Sequence, residues 1–190
     1  VGPNAVLVEA VRNGSPVTSG RVGISATWIG DGRNLHPPYG DAAASSANDE
    51  DRFELLIHLL QPVDEEGQWV LDIDFDLGGT SGQTRIEIDV EPDIWVQYVS
   101  ETDNDDPYYV SWIEPVRPET GEAAFELAFH SLGAGGFIPM TDAALDLYPY
   151  MDMGAGEGHS TPYEPPVHSG AGLYRGSVNY IMAGGWSMTV

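Results

Sequence analysis

Apolar and polar residues alternate along most of this chain with a period of two. In the first half the pattern runs through AVLVEAV (5–11), RVGISATWI (21–29), RFELLIHLL (52–60) and QWVLDIDFDL (68–77), then TRIEIDV (84–90) and DIWVQYV (93–99). Such alternation sorts side chains onto opposite faces of an extended backbone, so each segment is predicted as a strand with one buried face. Turn formers bound these segments, in RNGSP, GDGRN, DEEG and GGTSG. Beyond SETDNDDP the series continues with YYVSWI (108–113), AAFELAFHSL (123–132), AALDLYPYM (143–151), GLYRGSVNYIM (172–182) and WSMTV (186–190). Only DAAASSANDE (41–50) is rich in helix-forming alanine; with no apolar stripe it reads as a loop with at most one turn. Short strands at this spacing predict an all-β protein of β-sandwich architecture.

The strands fall into two sets. RFELLIHLL-QPVDEEG-QWVLDIDF is a strand, a tight acidic turn and a strand opening on Trp69, and LYRGSVNYIM-AGG-WSMTV repeats that layout with Trp186. Upstream of each lies a further strand and a long Gly/Pro loop. This layout predicts two immunoglobulin-like or cupredoxin-like β-sandwich domains in tandem: 1–91 as scaffold, 92–120 as a structured connector stiffened by prolines, and 121–190 as the second sandwich. The string F-E-L-x-x-H, at 53–58 and 125–130, falls at different places in the two sets and reads as coincidental strand chemistry.

Charge narrows the partners. The chain carries 30 acidic residues against 7 basic ones, all arginine, for a formal net charge of -23. Such a surface repels nucleic acid and anionic membranes, stays hydrated in saline media and attracts cations. No apolar run approaches a membrane span, which predicts a water-soluble segment without direct insertion. A start at Val1, without initiator Met or leader, is read as that of a processed or trimmed chain. The absence of Cys removes disulfides, thiolate nucleophiles and Cys-ligated zinc.

The candidate chemistry is concentrated in YPYMDMGAGEGHSTPYEPPVHSG (148–170), which holds two of the five methionines and two of the five histidines. Thioether sulfur is a soft neutral ligand that suits copper(I), and imidazole serves both copper oxidation states. Met151 and Met153 alternate, so an extended strand end points both sulfurs to one side. Glycines at 154, 156 and 158 let the backbone turn and bring His159 back toward them, while His168 follows Pro165 and Pro166 in an extended segment. Met151, Met153, His159 and His168 are therefore the expected copper ligands. The competing reading of either methionine is ordinary core at a strand end. Met182 fits a core or rim position as well as ligation; if 143–151 pairs antiparallel with 173–182, it lies at the opposite strand end from Met151. Met140 and Met188 read as apolar filling, and His58 and His130 as satisfied or surface-facing strand residues. His36 occupies the corresponding first-half loop without a methionine.

The segment YPYMDMGAGEGH, followed by GLYRGSVNYIMAGGW and a short last strand, resembles the FixH/YtkA-like family of exported bacterial β-sandwich domains. The matching residues are Met151, Met153, Gly154, Gly158, His159, Gly172, Tyr174, Gly176, Val178, Met182, Gly184, Gly185 and Trp186, and the resemblance covers roughly 120–190. It implies an extracytoplasmic protein of copper handling or delivery, periplasmic, extracellular or anchored on the outer membrane face, with a copper protein or an oxidase-assembly factor as partner. The chain ends four residues after Trp186, so a later strand of the family pattern is missing or supplied by another segment.

Other chemistry is weaker. Asp103, Asn104, Asp105 and Asp106 offer oxygen donors of the kind calcium uses, but without the glycine and distal Glu of a helix-loop-helix calcium site they read as a solvated turn. There is no Gly-x-Ser-x-Gly elbow, His-Glu-x-x-His helix, P-loop or dinucleotide fingerprint, so the expectation is a protein that is not an enzyme. The alternative to copper handling is a non-catalytic binding or adhesion module with acidic, calcium-binding loops.

Overall fold

The computed structural model describes residues 2–60, 66–90, 96–100, 107–115 and 118–190, and among them every regular element is a strand. The protein is all-β, with sandwich-type sheets and no barrel. The chain divides into two compact units, one made of Val1–Asp93 with Gly135–Phe137 and the other of Ile94–Ala134 with Ile138–Val190.

The first unit contains β1 (Gly2–Glu9), β2 (Val11–Arg12), β3 (Ser15–Pro16), β4 (Ser19–Gly30), β5 (Arg33–Leu35), β6 (Asp41–Ser46), β7 (Arg52–Leu59), β8 (Gly67–Leu77) and β9 (Thr80–Ile88). Its main sheet runs β5-β4-β8-β9 with β6 added to β4, while β1 pairs with β7 and β2 with β3. Alternation places Val22, Ile24, Ala26 and Trp28 of β4 in the core with Phe53, Leu55 and Ile57 of β7. The opposite face of β8 is polar: Asp72 receives two 2.7 Å hydrogen bonds from its cross-strand partner Arg85, and Asp74 pairs with Arg21. The Arg85 hydrogen bonds hold the Asp72 carboxyl below the usual carboxylate range. Acid-rich strands such as LDIDFDL are thus compatible with sheet formation because only their outer face is charged.

The second unit contains β10 (Val96–Ser100), β11 (Pro107–Glu114), β12 (Gly121–Gly133), the latter half of β13 (Gly136–Pro139), β14 (Tyr148–Gly154), β15 (Glu157–Ser160), β16 (Tyr163–Gly170), β17 (Leu173–Tyr180) and β18 (Ser187–Thr189). A six-stranded sheet, β10-β11-β12-β17-β16 with β13 on β12, accompanies a three-stranded sheet, β15-β14-β18. Trp112, Phe125, Leu127, Tyr174 and Val178 from the larger sheet form the core, against which Trp186 and Met188 pack from the chain that makes β18. Trp112 stacks on Phe125 at 5.3 Å and donates its indole N–H to the Pro115 carbonyl.

Several expectations are corrected by this architecture. DAAASSANDE is not a loop: its first six residues are β6, an edge strand whose ladder to β4 outweighs the helix preference of alanine. The long loop expected over 154–166 is instead the return strand β15 and the start of β16. Pro165 and Pro166 lie where the β16–β17 register shifts, on an edge strand where a missing N–H does least harm. AALDLYPYM becomes a strand only at Tyr148; before it, the Ala143 and Leu147 N–H groups donate to the Tyr174 hydroxyl and the Asp146 carboxylate. In each half, the two strands sharing the Trp-opening layout belong to different sheets: β7 and β8 in the first, β17 and β18 in the second. Residues 92–120, read as a connector, include β10 and β11, which are part of the second unit's sheet. The acidic turn at 61–65 and the calcium-type cluster at 103–106 lie outside the described residues.

Candidate metal centre

The sequence MDM ends β14, and the next residues reverse the chain. Ala155 and Gly156 adopt positive φ values of 54° and 80°, the pair of left-handed residues that a tight two-residue hairpin requires. The hairpin returns β15 along β14 with Met151 directly opposite His159. Directly opposed residues of antiparallel strands share a face, with Cβ atoms about 4.5–5.5 Å apart. On its other edge β14 pairs with β18 as far as Tyr150 and Ser187, so the next residue outward, Trp186, approaches Met151 from that side.

The rings of His159 and Trp186 meet edge-to-face with centroids 5.4 Å apart, and Trp186 meets Tyr180 the same way at 5.9 Å. Met151 is 5% exposed. Gly184 closes over it: a Cβ at that position would run into the Met151 methyl group. The Trp186 indole N–H donates to the Met182 carbonyl at 3.2 Å, which ties the 182–185 turn to the same ring.

His159 is oriented by its backbone. Its Nδ1 lies 3.1 Å from the Ser160 carbonyl, which can only accept, so Nδ1 carries a proton, and in the neutral form of the ring the lone pair is therefore on Nε2. That is the state in which a histidine ligates a metal: one ring nitrogen anchored to a carbonyl, the other bare.

Met153 and His168 have other surroundings. The β14–β15 register slips by one residue between Asp152 and Gly154, leaving Met153 as the extra residue of a bulge, 59% exposed. The strict alternation expected to give both sulfurs equal places is interrupted there, and only Met151 is buried. His168 lies on β16 in the six-stranded sheet, exposed, with its ring 5.2 Å from that of Tyr174. The structure thus joins Met151 and His159 and places His168 on a different sheet. His58 and His130 are both buried, and His36 bonds Asp41 at 3.1 Å.

Two contributors escaped the sequence reading. Trp186 and Met182 stand out in the sequence as parts of the family pattern and not as neighbours of His159; the Trp186 ring meets that histidine, and the main-chain carbonyl of Met182 accepts the indole hydrogen bond. Met182 is expected at the far strand end only if 143–151 pairs with 173–182. In fact β14 pairs with β15 and β18, and the turn after β17 folds back over Met151. The signal available was the spacing of MAGGW, which sets a methionine one tight turn from a tryptophan.

Among the described residues no group of three or more His, Cys, Asp or Glu is arranged to hold a metal ion. The donor set at Met151 and His159 is of another kind, a thioether and a neutral imidazole, which fits a soft monovalent cation better than a hard divalent one. No family model, curated protein or solved structure matches this chain.

Proposed function

We propose that this chain is an extracytoplasmic copper-handling protein that carries copper(I) as cargo at Met151 and His159. One observation carries the reading: the β14–β15 hairpin opposes a buried thioether to a histidine whose Nδ1 is anchored to a carbonyl. Met153, on the bulge, and Met182, on the covering turn, are the exposed thioethers through which an ion enters and leaves. Trp186 shields the pair from water and oxidant. The resemblance of residues 148–186 to the FixH/YtkA-like pattern supports the same assignment, with a copper protein or oxidase-assembly factor as receiver.

The test is an anaerobic copper(I) competition against a colorimetric chelator, repeated with silver(I) as a redox-inert analogue. One tightly held equivalent is expected, and Met151→Leu and His159→Gln should each release it to the chelator. A wild-type chain that leaves all copper(I) and silver(I) with the chelator sinks the proposal.

A further inference from the structure

The outward face of the three-stranded sheet carries a second arrangement that the copper reading does not use. Tyr148 and Tyr150 alternate with the inward-facing Pro149 and Met151, and their rings lie 18° from parallel with centroids 6.4 Å apart. That separation matches the roughly 6.8 Å that two residues advance along a strand, so the rings follow one another down β14. The residues opposed to them are all small: Ser160 on β15, and Ser187 and Thr189 on β18.

Gly158 explains how the rings lie. It is the β15 partner of Asp152, and a Cβ there would overlap the Tyr150 phenol. Tyr150 therefore lies low across the neighbouring strand, in space that any other residue would fill. Tyr148 is 51% exposed, although burial of an aromatic ring is among the larger gains a sandwich can make. The result is a two-ring platform bordered on both sides by hydroxyl groups.

We propose that this face binds a neutral polysaccharide chain. The C–H faces of sugar rings carry partial positive charge and stack on the negative π face of tyrosine. Hydroxyls of the same sugars exchange hydrogen bonds with Ser160, Ser187 and Thr189 at the platform's edges. Nucleic-acid bases also stack on aromatic rings, but their phosphates, like the acid groups of uronic or sulfated glycans, are repelled by a net charge of -23. Two rings in succession along a strand suit a linear chain rather than a single sugar.

Native electrophoresis of the whole protein through gels containing hydroxyethylcellulose, laminarin, glucomannan or arabinoxylan tests the proposal. Retarded migration is expected in at least one gel. It should be lost in Tyr148→Ala/Tyr150→Ala, with affinity lower by on the order of tenfold or more for the lost stacking, and kept in Tyr148→Phe. Because the double variant removes packing, Ser187→Glu serves as a second probe that leaves both rings in place and obstructs the face; it too should migrate freely. Met151→Leu should be retarded like the wild type, separating this face from the copper site. Migration unaffected by all four polysaccharides overturns the proposal, as does equal retardation of wild type and both platform variants. A dimer by sedimentation that the tyrosine substitutions abolish, without retardation in any gel, assigns the face to self-association instead.

Discussion

Met151 stands directly across the β14–β15 ladder from His159, and the ring of that histidine meets Trp186 edge-to-face at 5.4 Å. A thioether, an imidazole and an indole from three adjacent strand segments thus share the inner face of one small sheet. Ordinary packing accounts for Met151 and Trp186, which are apolar. It does not account for a histidine whose Nδ1 is tethered to its neighbour's carbonyl while Nε2 is left for another partner.

Copper(I) or silver(I) binding at this group should quench Trp186 fluorescence, because a heavy soft cation at His159 sits beside the indole. The chain has five tryptophans, so the quench is read as the difference between wild type and Trp186→Phe. His159→Gln should weaken binding by more than the roughly 10–100-fold that loss of an outer-shell partner costs. Met151→Leu nearly conserves volume and should cost less than about 1.5 kcal/mol of stability. Lost binding in that variant therefore reports the sulfur and not unfolding. Wild-type binding with an unchanged Trp186 signal would place the ion elsewhere on the chain.

The same residues show what was legible in the sequence. Strands with one apolar and one polar face, such as RFELLIHLL and QWVLDIDFDL, declare themselves because burial on one side dictates the alternation. β6, β15 and β16 do not, for physical reasons. After Asp41, β6 is built of Ala and Ser, which bury little, and β15 is four residues long with glycine at its second position. β16 carries two prolines at a register shift that breaks its period. These strands are held by backbone ladders to stronger neighbours, which composition does not record. At the site, the hairpin glycines and the Met/His pairing are local and readable. The approach of Trp186 depends on β18 pairing with β14, Tyr150 with Ser187 and Tyr148 with Thr189, across a long stretch of chain, and no local pattern encodes that.

Gly67→Ala should destabilise the protein by roughly 1–3 kcal/mol through overpacking. Gly67 and Gly30 are cross-strand partners at the end of the β4–β8 ladder, and the buried Trp28 ring occupies the space where a Cβ at either would stand. The indole is 1% exposed and enclosed, so relief requires a shift of core or backbone. Gly32→Ala is the control for space: nothing lies near its Cβ position, but its φ of +73° gives it only the backbone penalty. Urea midpoints at constant m-value measure both. An unchanged midpoint for Gly67→Ala would show that the Trp28 ring yields to a Cβ at that position without cost.

Salt should stabilise this chain. With 7 arginines for 30 carboxylates, most carboxylates have no cation to pair with, and their mutual repulsion opposes compaction. Raising sodium chloride from about 0.01 M to about 1 M shortens the screening length from about 30 Å to about 3 Å. That change also weakens exposed pairs such as Arg85–Asp72, but unpaired acids far outnumber them. The thermal midpoint should climb by several degrees; a falling midpoint would mean that the surface ion pairs outweigh the repulsion.

Mild acid should act through His130. This β12 residue, opposite Tyr109, is 0% exposed, and burial lowers its pKa from 6.5 to about 4. The unfolded chain therefore takes up a proton near pH 6.5 that the folded chain accepts only near pH 4, and the unfolded state binds more protons throughout that window. The stabilising contribution is complete above pH 6.5, declines as pH falls, and is gone once the pH drops below about 4. A difference of that size corresponds to about 3 kcal/mol at most. Protonation of the surface carboxylates relieves repulsion over part of the same range and acts in the opposite direction, so the wild-type curve alone is ambiguous. His130→Gln removes the titrating group and leaves every carboxylate in place. Its own burial penalty is independent of pH. Subtracting the two curves should give a difference that is flat above pH 7 and shrinks by about 3 kcal/mol toward pH 4 as wild type loses its advantage. A difference that stays constant from pH 7 to pH 4 would show that His130 accepts its proton in the folded protein as readily as in the unfolded chain.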